Sequence, residues 1–383
     1  MISQIKYLPN EYLEKINYLV SCNKMIYAYG AGVMGTKLAS ILGRYGVCLQ
    51  AFVVDDMYYT EKKSIWVEEI GKNIPVISYT DFIKQGGENI VLSAIELRNQ
   101  HVEEQFEKVM KKFPNSKVID FEHINFWNCE AIDYYFFLQN YERFKETYNQ
   151  FEDELSKKTF VAFVNACIAE NSRELDSLCP EEYYQYDYDY DLLLSNECKT
   201  IVECGAFDGK TAVQLAEYAG DGIQIIALEP DDNCYQKLIS RVKQYPQVKT
   251  LKYGAGAKAE AAYIILGENG TSSIVSEEQI IEGVPYTKIE LKKIDELFAN
   301  QKIDSIIMDV EGSEMDALHG AFETIRKNIP SLGIRIYHKK EDLITIPQYI
   351  DSLFDKKVYK YYLRKNTLNR GYMDTTFYAI PAK

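Results

Sequence analysis

Two short stretches hold residue types that carry group-transfer chemistry when strands bring them together. In the first, Glu203, Cys204, Gly205, Ala206, Phe207, Asp208 and Gly209 follow an apolar run, Thr200 to Cys204, and place small residues where a larger side chain would block a ligand. Glu229 closes the next apolar run, Ile223 to Leu228, and a carboxylate there can accept hydrogen bonds from two adjacent ribose hydroxyls. A glycine turn alone suits any ordinary βα loop; the acid at the following strand end turns it into a candidate nucleoside site. In the second stretch, Asp309, Val310, Glu311, Gly312, Ser313 and Glu314 set three carboxylates around the first turn of a helix. Glu314 reads as an acid complementing the helix dipole and Ser313 as a cap. Asp309, ending its strand with Glu311 beside it, stands where an acceptor hydroxyl could be oriented or deprotonated.

His338 ends the strand after that, in Tyr337, His338, Lys339, Lys340, Glu341 and Asp342, and neighbouring parallel strands bring their carboxyl ends together. A lone histidine is often structural, but at this position it is a candidate for proton removal near neutral pH. Small residues for close approach and a ribose acid fit the needs of S-adenosylmethionine, with Glu203, Gly205, Ala206, Phe207, Asp208, Gly209, Glu229 and Asp309 around it. Asp309, Glu311 and His338 together could help to hold a divalent cation, but they supply fewer oxygens than a hard cation generally takes. No metal is therefore assigned.

These positions require an alternating α/β frame. Strands are predicted at Thr200 to Cys204, Ile223 to Leu228, Val248 to Tyr253, Ile303 to Met308 and Leu332 to Tyr337. Helices are predicted over Thr211 to Tyr218, Cys234 to Val242 and Met315 to Arg326, with an inserted strand pair at Ala262 to Leu266 and Tyr286 to Leu291. Val358 to Leu363 and Thr375 to Ile380 make a terminal antiparallel hairpin. An earlier unit shows the same rhythm: a strand at Met25 to Tyr29, then Gly30, Gly32 and Gly35, a helix from about Thr36, and a strand Leu49 to Val54 closing in Asp55. In that unit Gly30, Gly32 and Gly35 could cradle a pyrophosphate and Asp55 receive a ribose. Further strands fit Ile74 to Ser78 and Asn89 to Ala94. The expected organisation is a Rossmann-like nucleotide-binding-type domain over 1–120, an aromatic-rich helical connector over 121–195, and a class I methyltransferase fold over 196–383. The fold class is thus α/β, with two parallel-sheet domains in tandem.

From about residue 179 onward the chain resembles the FkbM family of S-adenosylmethionine-dependent methyltransferases. The resemblance rests on the glycine turn at 203–209, Leu228-Glu229-Pro230, the hexad at 309–314 and the segment 337–343. It implies O-methylation of a hydroxyl on a sugar, glycan precursor or natural product. It also implies that Glu203, Gly205, Asp208, Gly209 and Glu229 meet the cofactor while Asp309, Glu311 and His338 line the acceptor side. The family often has Asp where this chain has Glu203. The amino-terminal unit resembles modules of sugar-modifying enzymes that bind a nucleotide, a nucleotide-sugar or another cofactor, although a domain kept for packing or for a homo-oligomer has the same pattern.

Composition narrows the alternatives. Of 383 residues 43 are basic and 57 acidic, a net charge of −14, and no basic stripe appears, so nucleic acid is a poor partner. No apolar window approaches membrane-spanning length and no leader pattern opens the chain, which predicts a cytoplasmic protein. The eight cysteines are scattered and read as reduced thiols. The acidic and aromatic run from Glu181 to Asp191 reads as a half-buried strand or packed connector, with a partner surface as its alternative. A nicotinamide-dependent oxidoreductase or epimerase built on Gly30 would want a Tyr-x-x-x-Lys pair that does not follow that turn. A non-catalytic ligand-binding scaffold would not need the acidic and histidine cluster.

Overall fold

The computed structural model describes residues 2–60, 64–67, 70–94, 102–121, 131–180, 186–195, 197–266, 272–275, 277, 280, 286–368 and 371–382. The centres of the two larger sheets are short apolar strands whose residues are covered on both faces, the pattern that parallel sheets impose. The first contains β1 (Ile26–Tyr29), β2 (Ala51–Val54), β3 (Ser64–Val67), β4 (Lys72–Ser78), β5 (Ile90–Ser93) and β6 (Lys117–Asp120) in the order β3-β4-β2-β1-β5-β6. All pairings are parallel except β3 with β4. The chain turns from one half of this sheet to the other at β1, so Gly30 stands at its topological switch point. The strands β3 and β6 escaped the periodicity because both are four-residue edge strands.

The larger sheet contains β7 (Thr200–Cys204), β8 (Gln224–Leu228), β9 (Val248–Leu251), β14 (Ser305–Met308), β15 (Ser331–Arg335), β16 (Tyr359–Lys365) and β17 (Thr375–Pro381). Between β9 and β14 come β10 (Gly254–Ala255), β11 (Glu260–Leu266), β12 (Ser272–Val275) and β13 (Tyr286–Lys292). The seven-stranded order is β16-β17-β15-β14-β7-β8-β9, with β17 antiparallel to both neighbours, the class I methyltransferase plan. The predicted inserted pair is real, β11 against β13, but it belongs to a four-stranded sheet, β10-β13-β11-β12. The third main strand ends at Leu251 because the chain leaves it to pair Gly254 with Leu291 of that inserted sheet.

The single helix expected over Met315 to Arg326 is two, Glu314–His319 and Phe322–Asn328. The break falls at Gly320, where a Cβ would collide with the carbonyl oxygen of Gly256. Before β7, the helices Tyr134–Gln139, Tyr141–Gln150 and Glu154–Ala169 carry the expected aromatic face. Phe144, Phe160 and Phe163 pack in one core with Ile306, Leu332 and Phe377 of the large sheet. Each such side chain removed from water contributes about 1.5–3 kcal/mol. Ser156 Oγ accepts from the Leu363 backbone N–H at 3.0 Å, and Arg364 pairs with Asp153 at 2.6 Å, tying the longest of these helices to the terminal hairpin. In the acidic and aromatic run, Glu181 to Gln185 lie outside the described residues. Tyr188 and Tyr190 are buried, and the run ends in a short helix, Tyr190–Leu193, instead of a strand.

Candidate active site

Strand register aligns the chemistry. Cys204 pairs with both Leu228 and Met308, and Met308 with Ile334, so the next residues, Gly205, Glu229 and Asp309 just beyond their strands and Arg335 at the end of its own, stand in one row. The Gly205 and Ala206 N–H groups donate to the Leu228 carbonyl at 3.0 and 2.9 Å, which folds the turn back over β8. Gly205 has φ +85°, and a Cβ on it would run into the Asp309 carbonyl oxygen, so only glycine lets these two strand ends meet. Gly209 caps the helix Lys210–Ala219, and Phe207, at φ +47°, holds its ring in solvent at the mouth of the turn.

Each carboxylate near this turn has its own setting. Glu229 is buried; Oε2 accepts from Phe207 N–H and Oε1 from Asp231 N–H, both at 2.8 Å. Burial pushes its carboxyl up to about 7 against those two bonds. Glu203 is 3% exposed, and its Oε2 has no hydrogen-bond partner among the described residues. Burial, then the nearby charges of Asp187, Glu229 and Asp309, push it up to about 8. Asp208 points the other way, pairing with Arg241 at 2.8 Å, so it fixes the turn to the helix Asp232–Val242.

On the other side of the row, Asp309 is the centre of a charged cluster. Its Oδ2 lies 3.5 Å from Nε of Arg335, while Oδ1 faces His338 Nε2 at 3.5 Å and the Tyr337 hydroxyl at 3.4 Å. Glu311 Oε2 is 3.7 Å from the same imidazole nitrogen, on a residue held at φ +53°. Glu314, fully buried, accepts from the Val310 N–H at 3.0 Å and sets Oε1 2.9 Å from His338 Nδ1. Burial opposes the charge on His338, but Glu314, Asp309 and Glu311 outweigh it and push the imidazole up to about 10. These carboxylates favour the imidazolium form of His338, whereas a general base needs the neutral form. Burial raises Asp309, and Arg335 and His338 hold it back; burial also takes Glu311 up to about 7.

Sequence reasoning named Glu203, Glu229, Asp309, Glu311 and His338, and the structure brings them to one end of the sheet. It gave Glu314 only a dipole role, whereas this side chain anchors His338; Ser313 makes no side-chain cap. It missed Arg335, buried at 2% exposure, whose signal was a lone cation inside the apolar strand Leu332 to Tyr337. One oxygen each of Asp309 and Glu314 and one His338 nitrogen lie within 4.8 Å of one another, a spacing that would admit a cation; Glu311, named with Asp309 and His338 from sequence, is outside that set. In the amino-terminal sheet, Gly30 follows β1, Gly32 caps the helix Val33–Arg44 and Gly35 lies in its first turn. Asp55 Oδ1 accepts from the Tyr29 hydroxyl at 2.8 Å and pairs with Lys112, so the acid expected to receive a ribose is held by a cation of its own unit.

The strand order, the glycine turn under Glu229 and the charged row at Asp309 define a class I methyltransferase, the class that uses S-adenosylmethionine. Residues 203–361 match the family model of the methyltransferase FkbM domain. A solved FkbM methyltransferase from Methylobacillus flagellatus KT is similar in fold over 98% of this chain and 95% of its own, at 20% identity and a TM-score of 0.62. Two others overlap about half of the chain. Fibrillarin from Aeropyrum pernix, solved with natively bound S-adenosyl-L-methionine, matches 48% of this chain and 67% of its own, at 10% identity and a TM-score of 0.31. A putative caffeoyl-CoA O-methyltransferase from Staphylococcus aureus matches 49% and 78%, at 13% identity and a TM-score of 0.31. Among curated proteins no sequence matches the chain. Among the described residues no helix is long and apolar enough to cross a membrane.

Proposed function

We propose that this methyltransferase transfers the methyl group to a hydroxyl of a sugar, a glycan precursor or a related small molecule. The observation that carries the reading is the row Gly205, Glu229 and Asp309, in which a cofactor turn and an ionisable acceptor side share one sheet edge. S-adenosylmethionine supplies an electrophilic methyl on a sulfonium; the C–S bond breaks as the C–O bond forms. Glu229 offers both carboxylate oxygens to a ribose while its two backbone bonds keep it in place. Glu203, buried and short of a partner, faces the cofactor's cationic end.

Asp309 takes the proton of the acceptor hydroxyl, and the imidazolium of His338 stabilises the charge gathered around it. Most of the rate comes from holding oxygen, methyl and sulfur in line. In this reading Glu311, half exposed beside His338, meets acceptor hydroxyls. The amino-terminal sheet is proposed as the holder of a nucleotide or nucleotide-sugar handle through Gly30, Gly32 and Gly35.

Labelled S-adenosylmethionine offered with a panel of UDP-, GDP- and dTDP-sugars and free sugars tests the reading. Label should move to an acceptor oxygen, and Asp309→Asn should stop transfer while S-adenosylhomocysteine still binds. Transfer to nitrogen or carbon, or full activity of Asp309→Asn, contradicts it.

A further inference from the structure

Glu203 is a buried carboxyl with an oxygen that has no hydrogen-bond partner among the described residues, and the segment before β7 supplies a carboxylate, Asp187, whose charge acts on it. Glu203 stands beside Ile307 in register and projects to the same face as Ile201, two residues earlier. Ile201 and Ile307 share an apolar cluster with Tyr188 and Tyr190, so Glu203 faces the layer that residues 186–190 form. That layer is fixed from several sides. Arg335 Nη2 donates to the Asp187 carbonyl at 3.0 Å and its guanidinium lies 4.2 Å from the Tyr188 ring centre. The Asp189 N–H donates to the Tyr378 hydroxyl at 2.8 Å, and the Tyr190 hydroxyl to Gln214 at 3.2 Å.

The Asp187 carboxylate lies at the start of the helix that follows the glycine turn, accepting from Lys210 Nζ at 2.8 Å and from the Thr211 hydroxyl at 3.3 Å. Lys210 is 60% exposed and so screens Asp187 weakly. Arg335 is taken by Asp309, Asp374 and Thr376. Asp187 and Glu203 thus face this end of the turn, Asp187 balanced by the exposed Lys210 and Glu203 with one oxygen unpartnered among the described residues, so a positive group entering here favours the charged form of Glu203.

We propose that Asp187, which lies outside the family match, forms with Glu203 a carboxylate pair that binds the ammonium of the cofactor's methionine end. This rests on the cofactor reading above. It also gives the acidic and aromatic run a role: Arg335, bonded to the Asp187 carbonyl and stacked on Tyr188, fixes the backbone that carries Asp187.

Calorimetry with two compounds tests it. S-adenosylhomocysteine carries the ammonium, whereas 5′-methylthioadenosine has the same adenosine and sulfur without the amino-acid end. Asp187→Asn should weaken the first about tenfold, as loss of a charge-assisted hydrogen bond does, and leave the second within about twofold. Asp187→Glu should recover most of the loss. If Asp187→Asn fails to fold, Asp187→Ser, which keeps a small polar group for Lys210 and Thr211, is measured in its place. Unchanged S-adenosylhomocysteine affinity, or an equal loss for both compounds, overturns the role of Asp187. Wild-type protein that binds neither compound overturns the cofactor reading itself, so the two failures are distinguishable.

Discussion

At the scale of single residues, the site is a set of carboxyls whose burial raises them and whose few cations hold them in place. Glu203, Glu229 and Glu311, pushed to about 8, 7 and 7, keep protons in the folded chain that they release near the ordinary glutamate value when unfolded. For the two buried groups, Glu203 and Glu229, the folded state therefore binds more protons, and stability falls as pH rises from about 4.5 to about 8 for the first and to about 7 for the second, by at most about 1.4 kcal/mol per pH unit for each; Glu311, half exposed, adds less in the same direction. His338, raised to about 10, acts in the same direction: its contribution is complete below its unfolded value and is lost as pH rises through about 10. Urea denaturation from pH 5 to 9 checks this, and a stability that climbs with pH would contradict it. Glu314→Gln should cost about 1–3 kcal/mol by removing the anion behind His338, and should move the imidazole titration downward by NMR. An unmoved titration would mean that Glu314 only caps its helix.

At the scale of elements, strand ends and turns decide what can meet. Gly205→Ala forces a Cβ into the Asp309 carbonyl at a positive φ and should cost about 2–4 kcal/mol while abolishing S-adenosylhomocysteine binding, read by thermal unfolding with and without ligand. Arg335→Met leaves Asp309 and Asp374 without their buried cation and should cost about 3–5 kcal/mol. The glycine turn, Glu229, Asp309 and His338 were legible because each follows a run of apolar residues that must be a strand, and parallel strands gather their ends. Arg335 and Asp187 were not, since their meeting spans 148 residues of chain and no local period records it. Glu314 was misread because an acid in a first helical turn looks the same whether it faces solvent or a buried imidazole.

At the scale of the whole molecule, two parallel sheets and the helices before β7 were readable from alternating periodicity, down to the antiparallel hairpin β16–β17 that closes the larger sheet. The inserted sheet was half seen, because β10 and β12 span only two and four residues and so carry no readable period. The two sheets have separate cores, so changes in the first should not reach the cofactor turn. Lys112→Met, which strips Asp55 of its cation, should leave S-adenosylhomocysteine affinity within about twofold, as expected for sites without shared partners. The most direct test of the central claim is a calorimetric titration of S-adenosylmethionine and S-adenosylhomocysteine into wild type and Glu229→Ala, folding being checked in parallel. One site for each ligand in the wild type, lost in the folded variant, is the predicted result. A folded wild type that binds neither, or a folded variant that binds as tightly, would contradict it.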